Sequence, residues 1–282
     1  MNEPDIMVYL MTGFLDSGKT QFLTFTLKQD YFQIDGKTLL ILCEEGEEEY
    51  DPMEMLKYGV VIEKVEDQED LTAEWLEEMN RKHEPERVVV EYNGMWKVSD
   101  FENLELPAGW GIEQKITTVD ASTFQTYLTN LKPLFVEMVR GADMVLFNRC
   151  EDIKPLAGYR RSVKVVSPQA EVIFEDEEGE IENIFEDEVP YDLKAPVVEI
   201  AKEDYGIWYV DLMENPDRYK GKVVEYTAKV LKPRTFPAKV FMAGRMAMTC
   251  CADDVSFLGY VCRSAYAPKL KPGQWVKIRA KV

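Results

Sequence analysis

The residues with the clearest chemistry form one octapeptide at positions 13–20, Gly-Phe-Leu-Asp-Ser-Gly-Lys-Thr. Its two glycines let the backbone curl so that consecutive N–H groups face a phosphate at the start of a helix. The Lys19 ammonium group would then neutralise the β- and γ-phosphates, and the Thr20 hydroxyl would bind Mg²⁺. We therefore predict a nucleotide phosphate site, the P-loop site, that comprises Gly13, Asp16, Ser17, Gly18, Lys19, Thr20 and Gln21.

The segments beside this octapeptide supply the setting that such a loop needs. Residues 5–11 are typical of a buried strand, and residues 20–28 are typical of the helix that follows the loop. A strand, a glycine-rich turn and a helix in this order favour phosphate binding over an ordinary glycine turn.

Glu91 and Gly94 come directly after the apolar strand at 88–90. A carboxylate at a strand end that faces the P-loop can hold Mg²⁺, and a backbone N–H three residues later can reach a γ-phosphate. We predict that Lys19 and Glu91 are the catalytic residues and that Thr20 and Glu91 are the Mg²⁺ ligands.

Two more polar segments follow strands. Asn148 and Glu151 come after the strand at 145–147, at the position where a guanine base is read. The acidic run at 44–49 follows the second strand, where a switch loop that moves with the γ-phosphate would lie. Asn148 and Glu151 are therefore the predicted base-binding residues.

The first 193 residues alternate continuous apolar strands with helices, which predicts an α/β domain with a mainly parallel sheet and helices on both faces. After an acidic stretch at 175–190 the pattern changes, and residues 194–282 predict a small all-β domain, an OB-like barrel with one helix at 205–214. Its predicted strands are 222–231, 240–250, 255–263 and 274–282.

The net charge of −19 is unevenly distributed. Residues 196–282 contain 15 Lys and Arg against 9 Asp and Glu, a net of +6, so the rest of the chain carries −25. We expect no nucleic-acid partner for the acidic part, whereas the basic part can meet an acidic partner or simply be a solvated face.

No apolar run is long enough to span a membrane, no leader is evident and the five cysteines are sparse, so we expect a cytoplasmic protein.

The P-loop, the Glu-x-x-Gly at 91–94 and the Thr-Val-Asp-Ala at 118–121 resemble the CobW-type metal-homeostasis GTPases over about residues 6–193. The acidic segment at 44–47 and the Ser-Pro-Gln-Ala at 167–170 are similar to further stretches of that family. The resemblance implies a GTP-binding P-loop hydrolase that uses Mg²⁺ and acts as a metallochaperone for a metal-client protein.

The chain departs from that family in three places. The family's Cys-x-Cys-Cys metal motif is absent, and its Asn-Lys-x-Asp base motif reads Asn-Arg-Cys-Glu at 148–151. Asp16 replaces a usual glycine inside the P-loop, and we expect its carboxylate to point outward because it would repel a polyphosphate.

A second resemblance covers about residues 205–282. The segments at 211–222 and 241–253, which include Cys-Cys-Ala-Asp, are similar to the C-terminal domain of YcgQ-type permease subunits and imply a membrane permease as partner. Cys250, Cys251 and Cys262, with Asp253, could bind Zn²⁺, although structural cysteines in a barrel core are the alternative.

The leading hypothesis is a slow Mg²⁺-dependent GTPase that is linked to metal handling or to a permease. One alternative is a degenerate nucleotide-binding scaffold that works as a protein-docking module. Another is an ATP-using kinase or ligase, which the altered base motif allows.

Overall fold

The computed structural model describes residues 4–151, 153, 156–181, 189–248 and 255–282. The chain divides into two compact units. Unit 1 comprises residues 1–156 and 166–183, and unit 2 comprises residues 157–165 and 184–282.

Unit 1 is built on an eight-stranded sheet with the strand order β3-β2-β4-β1-β5-β6-β7-β8. Every neighbouring pair is parallel except β7 and β8. The strands are β1 (Ile6–Thr12), β2 (Thr38–Leu42), β3 (Val60–Lys64), β4 (Arg87–Glu91), β5 (Trp110–Asp120), β6 (Met144–Asn148), β7 (Glu171–Asp176) and β8 (Gly179–Glu180). The predicted mainly parallel α/β sheet is thereby confirmed.

Helices cover the sheet of unit 1. They are α1 (Lys19–Leu27), α2 (Pro52–Lys57), α3 (Ala73–His83), α4 (Val98–Glu102), α5 (Phe124–Asn130) and α6 (Lys132–Val139). Consecutive residues of β2 and β4, such as Leu39 with Leu40 and Val88 with Val89, are all fully buried. Because successive side chains of a strand point to opposite faces, both faces of the sheet are covered.

Two details of unit 1 concern a helix break and an edge strand. The helical stretch after residue 124 breaks at Leu131, and Pro133 lies in the first turn of α6, where its missing N–H costs nothing. Strand β3 was not predicted because it is an edge strand whose second half, with Glu63 and Lys64, is polar.

Unit 2 contains α7 (Leu156–Lys164, from residue 157), β9 (Val198–Glu199), α8 (Tyr205–Glu214), β10 (Val223–Leu231), β11 (Val240–Met248), β12 (Val255–Arg263) and β13 (Trp275–Lys281). Its sheet has the order β12-β11-β10-β13, with β9 parallel to β10 and the other pairs antiparallel. Its core is aromatic and centres on Trp208, Tyr219 and Tyr226. The small mainly-β domain is present, but no pairing within the described residues closes the sheet, so the OB-like barrel is not confirmed.

In the part of the chain that the structure describes, every helix falls short of the length and apolar character needed to cross a bilayer.

Candidate functional site

The P-loop connects β1 to α1, and its glycines are needed where they stand. Gly18 caps α1 with a φ of 91°, and an added Cβ there would lie 2.4 Å from the Nδ2 atom of Asn148. At Gly13, with a φ of 143°, an added Cβ would lie 2.5 Å from the Oγ atom of Ser17. Both positions combine a backbone conformation that favours glycine with a close approach.

Asp16 is the strained residue of this loop. Its φ of 59° lies in the left-handed region, which costs a residue with a side chain roughly 1–2 kcal/mol. Its side chain is exposed, and its carboxylate borders Gly46 of the acidic segment, since a Cβ built at Gly46 would lie 3.1 Å from Asp16 Oδ1.

Lys19 is buried and fully engaged by protein groups. Its ammonium group donates to the carbonyl oxygens of Gly13 at 2.9 Å and Phe14 at 3.0 Å, and it forms an ion pair with Glu44. The other carboxylate oxygen of Glu44 accepts a hydrogen bond of 3.1 Å from the backbone N–H of Gly94. Glu44 therefore bridges the two donors, Lys19 and Gly94, that the sequence predicts for a γ-phosphate.

Thr20 and Glu91 are in direct contact and line the same cavity as Lys19. The Thr20 hydroxyl donates to Glu91 Oε1 at 2.7 Å, and the Tyr50 hydroxyl donates to Glu91 Oε2. Burial raises the pKa of Glu91, and the hydrogen bonds from Tyr50 and Thr20 only partly offset that effect. A hydroxyl and a carboxylate are hard oxygen ligands, so this pair fits Mg²⁺.

Gly94 brings the segment after β4 against the P-loop. A Cβ at this position would lie 2.5 Å from the Gly13 carbonyl oxygen and 2.8 Å from the Cα atom of Phe14. Any side chain here would therefore push the two segments apart.

A cavity of about 320 Å³ opens beside these groups. Its lining contains five carboxylates and two cations. The carboxylates belong to Asp16, Glu44, Glu47, Glu48 and Glu91, and the cations to Lys19 and Arg149. The uncharged lining residues are Leu15, Gly18, Thr20, Gln21 and Gly46. The volume is at the lower end of ligand pockets. A polyphosphate that enters it meets an excess of negative charge unless Mg²⁺ comes with it or the acidic segment moves.

The predicted base-binding residues are divided by the structure. The Asn148 side-chain amide donates to the Ser17 carbonyl oxygen at 2.9 Å, and its buried Oδ1 has no partner among the described residues. Glu151 is exposed and does not line the cavity. An amide with one unused acceptor is able to bind a ligand, whereas Glu151 would have to move to do so.

Arg149 occupies the place between these two residues. With a φ of 53°, it donates to the Asp16 carbonyl oxygen at 2.9 Å and to Asp120 Oδ2 at 2.6 Å. Burial acts to raise the pKa of Asp120, but hydrogen bonds from Ser122 and Arg149 outweigh it and hold that pKa below its usual range. Arg149 thus ties the predicted base segment to the P-loop.

The structure brings most of the predicted site together: the P-loop residues, Gln21, Glu91, Gly94 and Asn148. The roles of Tyr50 and Arg149 were not predicted from the sequence. Tyr50 carries no motif signal, and the only clue to Arg149 was its place at the second position of the base motif.

The cysteines in the described residues do not form a thiolate site. Cys43 is buried, and burial raises the pKa of its thiol. The negative charges of Glu91 and Glu44 raise that pKa further. Burial raises the pKa of Cys150 to about 12 and raises that of Cys262, which is within contact distance of the Tyr226 hydroxyl. No group of three or more His, Cys, Asp or Glu residues suited to a metal occurs in the described ranges, and Cys250, Cys251 and Asp253 lie outside them.

Two family models match parts of this chain. Residues 7–174 match the model of the CobW/HypB/UreG nucleotide-binding domain, and residues 177–282 match that of the DUF1980 C-terminal domain. The resemblance to YcgQ-type permease subunits is not confirmed. A comparison with curated protein sequences finds no match.

Solved structures similar to this chain include the hydrogenase maturation factor HypB from Archaeoglobus fulgidus, at 18% identity, covering 61% of this chain and 82% of that one, with a TM-score of 0.44. The Zn(II)-bound YjiA GTPase from E. coli is 19% identical over 100% of this chain and 96% of its own, with a TM-score of 0.47. A Zn(II)-bound triple mutant of the YjiA GTPase is 20% identical, with a TM-score of 0.47. That match covers 93% of this chain and 90% of the mutant's chain. Because the first family model spans more than half of the sequence, the chain belongs to the CobW/HypB/UreG family, whose nucleotide-binding domain it contains.

Proposed function

We propose that this protein binds GTP with Mg²⁺ and hydrolyses it slowly, and that its nucleotide state is linked to metal handling. The observation that carries the proposal is that Lys19, Thr20 and Glu91 line one cavity, where Glu44 also links Lys19 to the backbone N–H of Gly94. Each of these groups has the chemistry that a Mg²⁺-bound triphosphate requires.

Lys19 would exchange its carbonyl and Glu44 contacts for phosphate oxygens, and Gly94 would offer its backbone N–H to the γ-phosphate. Thr20 and Glu91 would hold Mg²⁺, which neutralises phosphate charge when it is bound. Both changes require the loop from Glu44 to Tyr50 to move, because these two residues occupy the donors and the Glu91 carboxylate.

Slow turnover follows from what the site offers to the transition state. Arg149 is the arginine that lines the cavity, and its guanidinium already binds Asp16 and Asp120. An arginine that is engaged in this way contributes little to the charge of a transferring phosphoryl group, and arginine fingers are worth about 10³–10⁵ in rate.

The preference for GTP is tested by displacement of a fluorescent GDP analogue from the full-length protein. We expect GTP to compete at least about ten-fold better than ATP, because each base contact discriminates by about 1–3 kcal/mol. Equal or better competition by ATP would replace the GTPase proposal with the kinase or ligase alternative.

We propose a cytoplasmic setting, where GTP is available and where the free thiols of Cys43, Cys150 and Cys262 stay reduced. The partner would be a metal-client protein or a membrane permease. The family of residues 7–174 supports the metal client, whereas the permease is an expectation from the sequence of residues 205–282 alone.

The acidic lining of the cavity favours a second candidate, a degenerate nucleotide-binding scaffold that works as a protein-docking module. In that case a Lys19→Ala variant would support the partner's function as well as the unaltered protein does. Loss of that function in the variant would remove the scaffold candidate.

A further inference from the structure

The sheet of unit 2 has an opening between two of its strands, here called the seam. Within the described residues, β12 pairs only with β11, and β13 pairs only with β10. A cavity of about 1120 Å³ is lined by residues of both strands and by Trp208 and Leu212 of α8. Such a volume exceeds that of most small-ligand pockets.

The free edge of β13 carries unused backbone groups. The N–H of Val282 donates to the carbonyl oxygen of Lys222, and the carbonyl oxygen of Val282 accepts from the N–H of Gly221. Both backbone groups of Val282 therefore point to the side of β10. Since these directions alternate along an antiparallel strand, the backbone groups of Lys277, Arg279 and Lys281 point away from β10, toward the seam. No backbone hydrogen bond among the described residues uses them.

The interior of the cavity is aromatic and holds one unsatisfied donor. The cavity is lined by four aromatic residues and an isoleucine, namely Trp208, Tyr226, Phe241, Tyr260 and Ile278. Trp208 is 1% exposed, yet its indole N–H has no acceptor within the described part of the chain. A buried donor without a partner costs about 1–3 kcal/mol, which a ligand with an acceptor would recover.

The rim of the cavity is basic. None of the lining residues is acidic, and four are basic: Arg263, Lys277, Arg279 and Lys281. All four basic residues are exposed, and the Nζ atom of Lys277 lies 2.5 Å from Oε1 of Glu225. The rim therefore attracts negative charge in a protein whose net charge is −19.

We propose that the seam binds an extended acidic segment of a partner protein by strand addition to β13. The segment's backbone pairs with the groups of Lys277, Arg279 and Lys281. Because side chains of a strand alternate, one row enters the aromatic cavity and the other places carboxylates on the basic rim. A backbone carbonyl or a side-chain acceptor of the segment accepts a hydrogen bond from the indole N–H of Trp208.

The free strand edge favours a polypeptide over other anionic partners. A nucleic acid or a lipid headgroup would satisfy the rim charges but would leave the row of backbone donors and acceptors unpaired. The proposal concerns unit 2 alone and goes beyond the nucleotide reaction, so it can fail without affecting the P-loop site.

The test uses the full-length protein and a fluorescent synthetic peptide of about nine residues that alternates glutamate and valine. We expect saturable binding, and we expect the double variant Arg279→Glu, Lys281→Glu to weaken it by at least about ten-fold. Arg234→Glu is the matched control, because Arg234 is exposed and does not line the cavity, and it should change affinity by less than about two-fold. A peptide with lysine in place of glutamate should not bind.

Residue-resolved hydrogen exchange then tests strand addition itself. The amides of Lys277, Arg279 and Lys281 should exchange rapidly in the protein alone and become protected when the peptide binds. The proposal is overturned by absence of binding at millimolar peptide, by equal effects of the control variant, or by preference for a single-stranded oligonucleotide. Protection of these amides before any peptide is added would also overturn it, because the chain itself would then cover the edge. Nucleotide binding by the same variants should be unchanged, which separates this failure from failure of the P-loop proposal.

Discussion

The Lys19 ammonium group has three protein acceptors, two loop carbonyls and the Glu44 carboxylate. A phosphate reaches this cation only by displacing them, so the affinity for a nucleotide is a difference between two sets of contacts. Glu44 makes the larger contribution to that competition, because a buried carboxylate competes with phosphate through its charge as well as its hydrogen bonds. At the scale of single residues, this carboxylate sets how readily the site opens.

Replacing Glu44 with Gln should therefore raise the affinity for Mg²⁺-bound GTP, by about ten-fold if one charged contact is lost from the competing state. Titration calorimetry on Glu44→Gln and on the unaltered protein measures the change. Glu47→Gln is the matched control, since Glu47 lines the same cavity but is exposed. An unchanged or weaker affinity in Glu44→Gln would show that Glu44 does not compete with the nucleotide.

Glu91 gives a prediction about pH. Burial raises the pKa of this carboxyl in the folded protein, so the folded state binds the proton more tightly than the unfolded chain does. Its contribution to the free energy of unfolding is therefore greatest at low pH and is lost as the pH rises from about 4.3 through the folded pKa. In the nucleotide-free protein, Glu91→Gln should flatten the fall of Tm with pH over that window.

Thermal unfolding at several pH values checks this expectation. Glu113→Gln, at an exposed position of β5, is the control and should leave the profile unchanged. A Glu91→Gln profile that is parallel to that of the unaltered protein would contradict the effect of burial.

Much of this site could be predicted at the residue scale because the P-loop residues act through backbone geometry and local charge, which the octapeptide itself encodes. Tyr50 and Arg149 could not be predicted, since their roles depend on the distant groups that they meet. Tyr50 contacts a carboxylate 41 residues away, and Arg149 contacts a carbonyl 133 residues away.

At the scale of elements, the site is made by the carboxyl ends of adjacent parallel strands. Met11 of β1 pairs with Glu91 of β4, so the P-loop and the segment after β4 leave the sheet side by side. Their closeness follows from strand order, which the apolar runs indicate and the parallel connections constrain. The edge strand β3 escaped prediction because its polar residues interrupt the apolar pattern.

Gly94 tests this element-level contact. Gly94→Ala places a Cβ within 2.5 Å of the Gly13 carbonyl oxygen, so the P-loop and the segment after β4 must separate. We expect the variant to lower Tm and to weaken nucleotide binding by at least about ten-fold, as overpacking typically costs 1–3 kcal/mol. Gly206→Ala is the control, because nothing lies within 4 Å of a Cβ built there. Nucleotide affinity equal to that of the control would contradict the need for close approach.

At the scale of the whole molecule, the chain combines a nucleotide-binding domain with a small mainly-β domain of opposite charge balance. Four strand-like runs within residues 222–282 predicted its strands, but strand number does not determine whether a sheet closes. Closure depends on tilt and register across the whole sheet, which a linear pattern does not contain. Among the described residues, β12 and β13 each keep one edge unpaired.

The most direct test of the account is titration calorimetry of the full-length protein with GTP and with GDP in the presence and absence of Mg²⁺. We predict saturable binding to one site per chain, tighter for GTP with Mg²⁺, and loss of at least about 2 kcal/mol of binding free energy in Lys19→Ala, since charged hydrogen bonds are worth about 1.5–3 kcal/mol. Absence of binding to the folded protein at millimolar nucleotide, or equal binding by Lys19→Ala, would contradict the claim that the P-loop is a nucleotide site.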